Sequence, residues 1–206
     1  MTDTMLVADP ETYFSALVPK RGAILEALEE EAAAEEIPIV GPVVGELLFI
    51  LARAAGAKRI LELGAATGYS AIYLGEAVKP GGGRVLTLEN DPDMVKRARE
   101  NISSAALSEV VSVREGDALK VIPTLTGAFD MVFMDIEKED YLAALLALQG
   151  LVTPAGLLIA DNTGFKDADP FNRHMAESGA WRSVQLFSFL PKHSGRYDGL
   201  CVAVRL

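Results

Sequence analysis

The sequence is poor in cysteine, in histidine and in basic charge, and it contains no long apolar run. Its one cysteine, Cys201, has no partner for an internal disulfide, which points to a reducing compartment and a cytoplasmic protein. It sits in Gly199-Leu200-Cys201-Val202-Ala203-Val204 and reads as a buried strand residue rather than a reactive thiol. Neither His174 nor His193 has a partner at the spacing of a zinc site. No stretch reaches the roughly 18–20 apolar residues that span a bilayer. The start, Met1-Thr2-Asp3-Thr4-Met5, lacks the basic cluster and apolar core of a secretory signal. Lys and Arg number 19 against 29 Asp and Glu, a formal charge of −10. A field of that sign disfavours broad contact with nucleic-acid phosphates and with anionic membranes.

What is present reads as one globular domain. The 206 residues are half apolar and 23% charged, enough to bury a substantial core without a disordered tract. Residues 10–36 alternate apolar and acidic positions with helical spacing, interrupted near Pro19. Leu25, Leu28 and Ala32 share one face; Glu29, Glu30, Glu31, Glu35 and Glu36 fall mostly on the other, which reads as a solvated acidic face. A further helix is expected after Pro42, over residues 43–51. Residues 1–55 thus form a helical appendage to a core over residues 56–206.

From Arg59 onward short apolar runs alternate with helix-length stretches. They fall at residues 59–63, 84–88, 110–113, 129–134 and 157–160. Continuous apolar strands joined by helices make a mainly parallel sheet covered on both faces. Two more runs, at 181–187 and 200–204, leave no room for a helix between them. They form an antiparallel hairpin at the sheet edge, with a loop over residues 191–199. The expected fold is α/β with seven strands.

The first of these strands runs into Gly64-Ala65-Ala66-Thr67-Gly68-Tyr69-Ser70. Small residues there let the chain turn sharply and let a ligand approach the backbone. Alone, this pattern is equally a tight turn. The second strand ends in Glu89, 21 residues after Gly68, where a carboxylate can accept both hydroxyls of a ribose. The loop is Gly-x-x-x-Gly, not the Gly-x-Gly-x-x-Gly of nicotinamide sites, and a phosphate-free adenosyl ligand suits it better. Two later strand ends carry oxygen donors: Asp135 within Met134-Asp135-Ile136-Glu137-Lys138, and Asp161-Asn162 after Ala160. Together they make a hard-oxygen set for Mg²⁺, Mn²⁺ or Ca²⁺. Each residue alone would serve equally as a helix-start or turn residue.

Glu62-Leu63-Gly64-Ala65-Ala66-Thr67-Gly68-Tyr69-Ser70, followed by Glu89, resembles the class I S-adenosylmethionine-dependent methyltransferases, and within them the catechol and caffeoyl-CoA O-methyltransferase group. The resemblance covers residues 38–206 and implies a Rossmann-like fold. It implies that Glu62 and the backbone of Gly64 to Gly68 cradle the methionine part of the cofactor, with Ser70 on its carboxylate and Glu89 on the ribose. Val40 covers the cofactor, and Asp117 and Ala118 flank the adenine. Asp135 borders the cofactor and, with Asp161 and Asn162, holds the metal. By the same resemblance Lys138 matches the catalytic base of the group's Asp-x-x-Lys motif, a role that a nearby cation favours where it lowers a lysine's pKa. A homodimer through the N-terminal helices is a further implication.

The sequence departs from that group where the acceptor is chosen. The aromatic wall of catechol-specific members is here Ile136-Glu137, and Lys192 stands where they carry a carboxylate for the second hydroxyl. Residues 191–198 offer a basic rim that is equally a plain hairpin loop. The shortness of the chain is similar to bacterial members. The expected acceptor is a small catechol-like or other vicinal-dihydroxy phenol. Methylation of a hydroxylated tRNA nucleoside, and a non-catalytic adenosyl-binding role, are the alternatives. The negative charge weighs against the first, and the joint presence of Asp135, Lys138, Asp161 and Asn162 against the second.

Overall fold

Pro19 cannot continue a helix, and the N-terminal helical pattern divides around it. In the computed structural model, which describes residues 7–190 and 197–206, α1 (Pro10–Ala16) ends before it and α2 (Ala23–Glu35) begins after it. Asp9 caps α1 by accepting from the Thr12 N–H at 3.2 Å. Next comes α3 (Gly41–Ala54), with Pro42 in its first turn, where a missing N–H costs nothing.

The core then alternates strand and helix: β1 (Arg59–Leu63), α4 (Tyr69–Val78), β2 (Arg84–Glu89), α5 (Pro92–Ser104) and β3 (Val111–Glu115). A short α6 (Ala118–Val121) leads to β4 (Phe129–Met134), α7 (Tyr141–Leu148), β5 (Val152–Ala160) and α8 (Asp169–Glu177). The hairpin β6 (Trp181–Phe189) and β7 (Tyr197–Arg205) follows. The seven strands form one sheet in the order β3-β2-β1-β4-β5-β7-β6. All neighbours are parallel except β7, which runs antiparallel to both β5 and β6. The expected architecture is therefore the observed one. β5 starts earlier than its apolar run suggests, because Phe129 pairs with Val152 before the register resets at Met131 and Leu157.

Period-two alternation along the strands divides the core. Ile60, Val85, Met131, Phe133 and Ile159 pack with Leu25 and Leu28 of α2, Val44 and Leu48 of α3, and Ile72 of α4. Leu61, Leu63, Val132, Met134 and Leu158 face the other way, onto Leu145 and Leu148 of α7 and Phe171 and Met175 of α8. Each such Leu or Ile contributes roughly 1.5–3 kcal/mol by leaving water. Cys201 is buried in β7, and burial pushes its thiol up to about 12, so it is the inert strand residue expected. Among the described residues no helix is long and apolar enough to cross a membrane.

The acidic face of α2 corrects the sequence reading. Glu29 is buried, not solvated. It accepts from Arg21 Nε at 2.7 Å and Nη2 at 2.9 Å, and from the Tyr69 hydroxyl at 2.8 Å. Glu31 and Glu35 pair with Arg97 of α5. Helical periodicity places a residue on a face but does not show which cations that face will meet. Here they come from the approach to α2 and from α5.

Candidate active site

The strand order reverses direction between β1 and β4, and in an open α/β sheet that switch point opens a crevice beyond the strand ends. A cleft of about 520 Å³ lies there. Val40, Gly64, Ser70, Glu89, Ala118, Asp135, Lys138, Asp161 and Asn162, all singled out from sequence, line it. Three others do not: Glu62 lies buried beneath the floor, Gly68 starts α4, and Asp117 turns away. The Asp117 side chain accepts from the Leu119 N–H at 2.9 Å and pairs with Lys120 at 3.2 Å, so it caps α6. Gly116 and Ala118 form the wall at that point.

Beyond β1 the backbone itself shapes the cleft. Gly64 has φ +90°, and a Cβ there would stand 2.0 Å from the Asp135 carbonyl oxygen. Only glycine lets the loops after β1 and β4 approach this closely. Gly68, at φ +88°, turns the chain into α4. Glu89 organises the intervening loop. Its Oε2 accepts from the N–H groups of Ala65 at 3.1 Å and Ala66 at 2.8 Å. Its Oε1 accepts from Asn90 at 2.8 Å and Asp91 at 3.0 Å. The carboxylate thus fixes the positive-φ turn at Ala66 as well as facing the cleft. A ligand's hydroxyls must share those lone pairs.

Glu62 is fully buried, and neither of its oxygens has a hydrogen-bond partner. Burial raises its pKa to about 7, and the carboxylates of Asp135 and Glu89 add to the push. The nearby Thr87 and Ser70 hydroxyls offset part of it, although neither makes a well-formed hydrogen bond to Glu62. An unpartnered buried carboxylate under a ligand-sized cleft suits a cationic ligand group.

Beyond β4 and β5 the cleft is shaped by side chains. The sheet ladder runs one rung past both strand ends: Asp135 N–H donates to Leu63 at 2.8 Å, and Asp161 N–H to Met134 at 3.0 Å. That extension sets Asp135 and Asp161 in register at one edge of the cleft. Asp161 is fully buried and its Oδ1 accepts from the Asn162 N–H at 2.9 Å. Asn162 is left-handed, at φ 51°, a region asparagine tolerates better than most residues. Its Nδ2 donates to Asp198 Oδ2 at 2.7 Å, which fixes how the amide is turned. Lys138 Nζ donates to Asp135 Oδ1 at 3.0 Å and to the Ile136 carbonyl at 2.9 Å. Among the described residues no group of three His, Cys, Asp and Glu side chains is gathered for a metal. The set here is two carboxylates and one amide, a hard-oxygen combination that suits Mg²⁺ and leaves positions for water or ligand.

Comparison with known proteins identifies the family. A family model described as "O-methyltransferase" matches residues 17–176. The chain belongs to the O-methyltransferase family. It is a class I S-adenosylmethionine-dependent O-methyltransferase. The catechol O-methyltransferase of Niastella koreensis is 37% identical over 210 residues, covering 93% of this chain and 94% of that protein. The catechol O-methyltransferase of Mycobacterium tuberculosis is 38% identical over 150 residues, covering 72% of this chain and 68% of its own. Among solved structures, the Bacillus cereus O-methyltransferase in complex with SAH superposes with a TM-score of 0.86. It is 28% identical and covers 96% of this chain and 97% of its own.

Several residues of this O-methyltransferase site carried no signal in the sequence. Tyr141 reads as an ordinary helix-start aromatic, yet its hydroxyl donates to the Asp161 carbonyl at 2.8 Å and lies 3.2 Å from that of Met134. Asp198 reads as a hairpin residue, yet it is buried against Asn162. Ile37, Pro38, Ile39 and Ile136 give the cleft an aliphatic wall, with Glu36 and Glu137 also lining it. Lys192 and most of the basic rim lie outside the described residues.

Proposed function

We propose that this O-methyltransferase moves a methyl group from S-adenosylmethionine to one hydroxyl of a small vicinal-dihydroxy phenol, with a divalent cation, Mg²⁺ by preference, at Asp135, Asp161 and Asn162. The observation that carries the reading is the meeting of two sites in one cleft: an adenosyl-type loop fixed by Glu89, and a hard-oxygen set with Lys138 beside it. The relatives named as catechol O-methyltransferases support the acceptor class.

In this reading Gly64 to Gly68, Glu62 and Ser70 receive the methionine part of the cofactor, and Asp135 borders it. Glu89 takes the ribose, Ala118 flanks the adenine with Asp117 capping the helix behind it, and Val40 closes the cleft. S-adenosylmethionine held there would supply an electrophilic sulfonium methyl for the acceptor oxygen, with S-adenosylhomocysteine as the leaving product. A cation held by Asp135, Asp161 and Asn162 would favour the ionised form of the acceptor hydroxyl. Lys138 would accept the phenolic proton at Nζ only as the neutral amine, after it has released a proton to solvent and given up its ion pair with Asp135. The walls hold the reactants in line, where proximity does most of the work.

The test is an acceptor panel with Mg²⁺ present: catechol, the matching monohydroxy phenol, and ribonucleosides in RNA. Methylation of catechol alone is the expected result. Equal turnover of the monohydroxy phenol would remove the chelation reading, and product only from RNA would replace the acceptor. We further propose a cytoplasmic protein that pairs as a homodimer, the pairing supported by the exposed Tyr13 and Phe14 of α1 and Leu17 just after it. Sedimentation that shows only monomer at micromolar concentration removes the dimer.

A further inference from the structure

All three metal-site side chains hang from two stretches of backbone, and one buried hydroxyl touches both. The Met134 carbonyl belongs to the peptide that leads into Asp135, and it also accepts the Asp161 N–H at 3.0 Å. The Asp161 carbonyl belongs to the peptide that joins Asp161 to Asn162. The Tyr141 hydroxyl lies 3.2 Å from the first and 2.8 Å from the second. A phenol has one proton to give, so the shorter contact carries the bond and the longer one shares it. The ring that delivers this hydroxyl is fully buried and packs edge-on against Phe171 of α8, with centroids 5.5 Å apart. It has little room to swing away.

We propose that Tyr141 is a positioning residue for the metal site: its hydroxyl locks the peptides on either side of the gap between β4 and β5, so that Asp135, Asp161 and Asn162 present their oxygens to one point. The inference rests on the metal reading given above. Without the hydroxyl, the Asp161 N–H keeps its ladder bond to Met134 but the Asp161 carbonyl loses its bond from Tyr141, and the left-handed Asn162 that follows, at φ 51°, loses that fixed neighbour. A group that orients metal ligands at one remove typically changes metal affinity, while a group that only fills space changes stability.

The experiment compares wild type, Tyr141→Phe and Phe171→Leu by Mn²⁺ titration followed by electron paramagnetic resonance, with S-adenosylhomocysteine affinity and thermal unfolding measured in parallel. Tyr141→Phe keeps the ring and removes only the oxygen. The expected result is Mn²⁺ binding weakened about ten-fold in Tyr141→Phe, cofactor affinity unchanged, and Mn²⁺ binding near wild type in Phe171→Leu. Equal Mn²⁺ affinity in wild type and Tyr141→Phe overturns the positioning role and leaves the metal reading intact. A wild type that binds no Mn²⁺ overturns both. If Tyr141→Phe does not fold, wild-type protein labelled at the tyrosine ζ-carbon answers the same question. One of its five tyrosine signals should move when Mg²⁺ is added without cofactor, and no movement overturns the proposal.

Discussion

The strand ends that frame the cleft on its two sides are built differently. After β1 and β2 the shape comes from backbone: Gly64 admits a carbonyl that no side chain would tolerate, and Glu89 gathers four N–H groups. After β4 and β5 it comes from side chains held by residues distant in the chain, with Asp198 on Asn162 and Tyr141 on the Asp161 carbonyl. The first kind of site tolerates no change at its glycines and depends little on remote packing. The second depends for its aim on those distant holders. Lys138 stands on the second side and is the one group there assigned to chemistry.

Changes on the two sides should therefore fail in different ways. The largest effect is expected from Lys138→Ala, which should cost about 10²–10⁴ in kcat while leaving cofactor affinity unchanged; normal turnover across pH would remove the base assignment. Gly64→Ala should destabilise the fold by about 3 kcal/mol or more, since it adds a clash to a left-handed backbone. Thermal unfolding would show the loss, together with loss of both cofactor and metal binding, because Gly64 is where the two sides touch.

Glu62 gives a pH-dependent contrast of similar size. Its pKa is raised from 4.5 to about 7, so between those values the folded protein keeps a proton that the unfolded chain has released. Stability from this group is full below the unfolded pKa and is lost as pH rises through the folded one. The loss amounts to roughly 3 kcal/mol. Urea unfolding of the cofactor-free protein at pH 5 and pH 8 should show that decline in wild type and not in Glu62→Gln. Matching declines in the two would contradict the assignment. The smallest effect is expected at Asp198. Asp198→Leu should weaken Mg²⁺ activation about ten-fold, and Asp198→Asn, whose amide oxygen can still accept from Asn162, should recover part of it. Equal activation constants in all three proteins would show that the Asn162 amide needs no such partner.

The same difference explains what was legible in the sequence. The alternation of apolar runs with helix-length stretches carries the sheet, because parallel strands buried on both faces must be apolar throughout. Gly64, Gly68 and Glu89 are legible because the backbone requires those residue types at that spacing. Asp135, Asp161 and Asn162 stand out only together: each alone would serve as a helix-start or turn residue, but two strand ends that open on one crevice carry all three. Tyr141 and Asp198 were not legible, since a tyrosine opening an apolar helix and an aspartate in a hairpin fit many structures. Asp117 fits the ligand pattern, yet the N–H groups of α6 claim its side chain. Glu29 was misplaced for a related reason. A buried carboxylate needs its partners, and Arg21 and Tyr69 reach it only once α2 lies over the start of α4.

The central claim is that the two sides of the cleft act together, cofactor on one and metal with acceptor on the other. The most direct measurement is transfer of labelled methyl from S-adenosylmethionine to catechol, with Mg²⁺, with EDTA, and with Mg²⁺ restored after EDTA. The account predicts product with Mg²⁺, none with EDTA while cofactor still binds, and recovery on restoration. Full turnover by protein shown to be free of metal would contradict it.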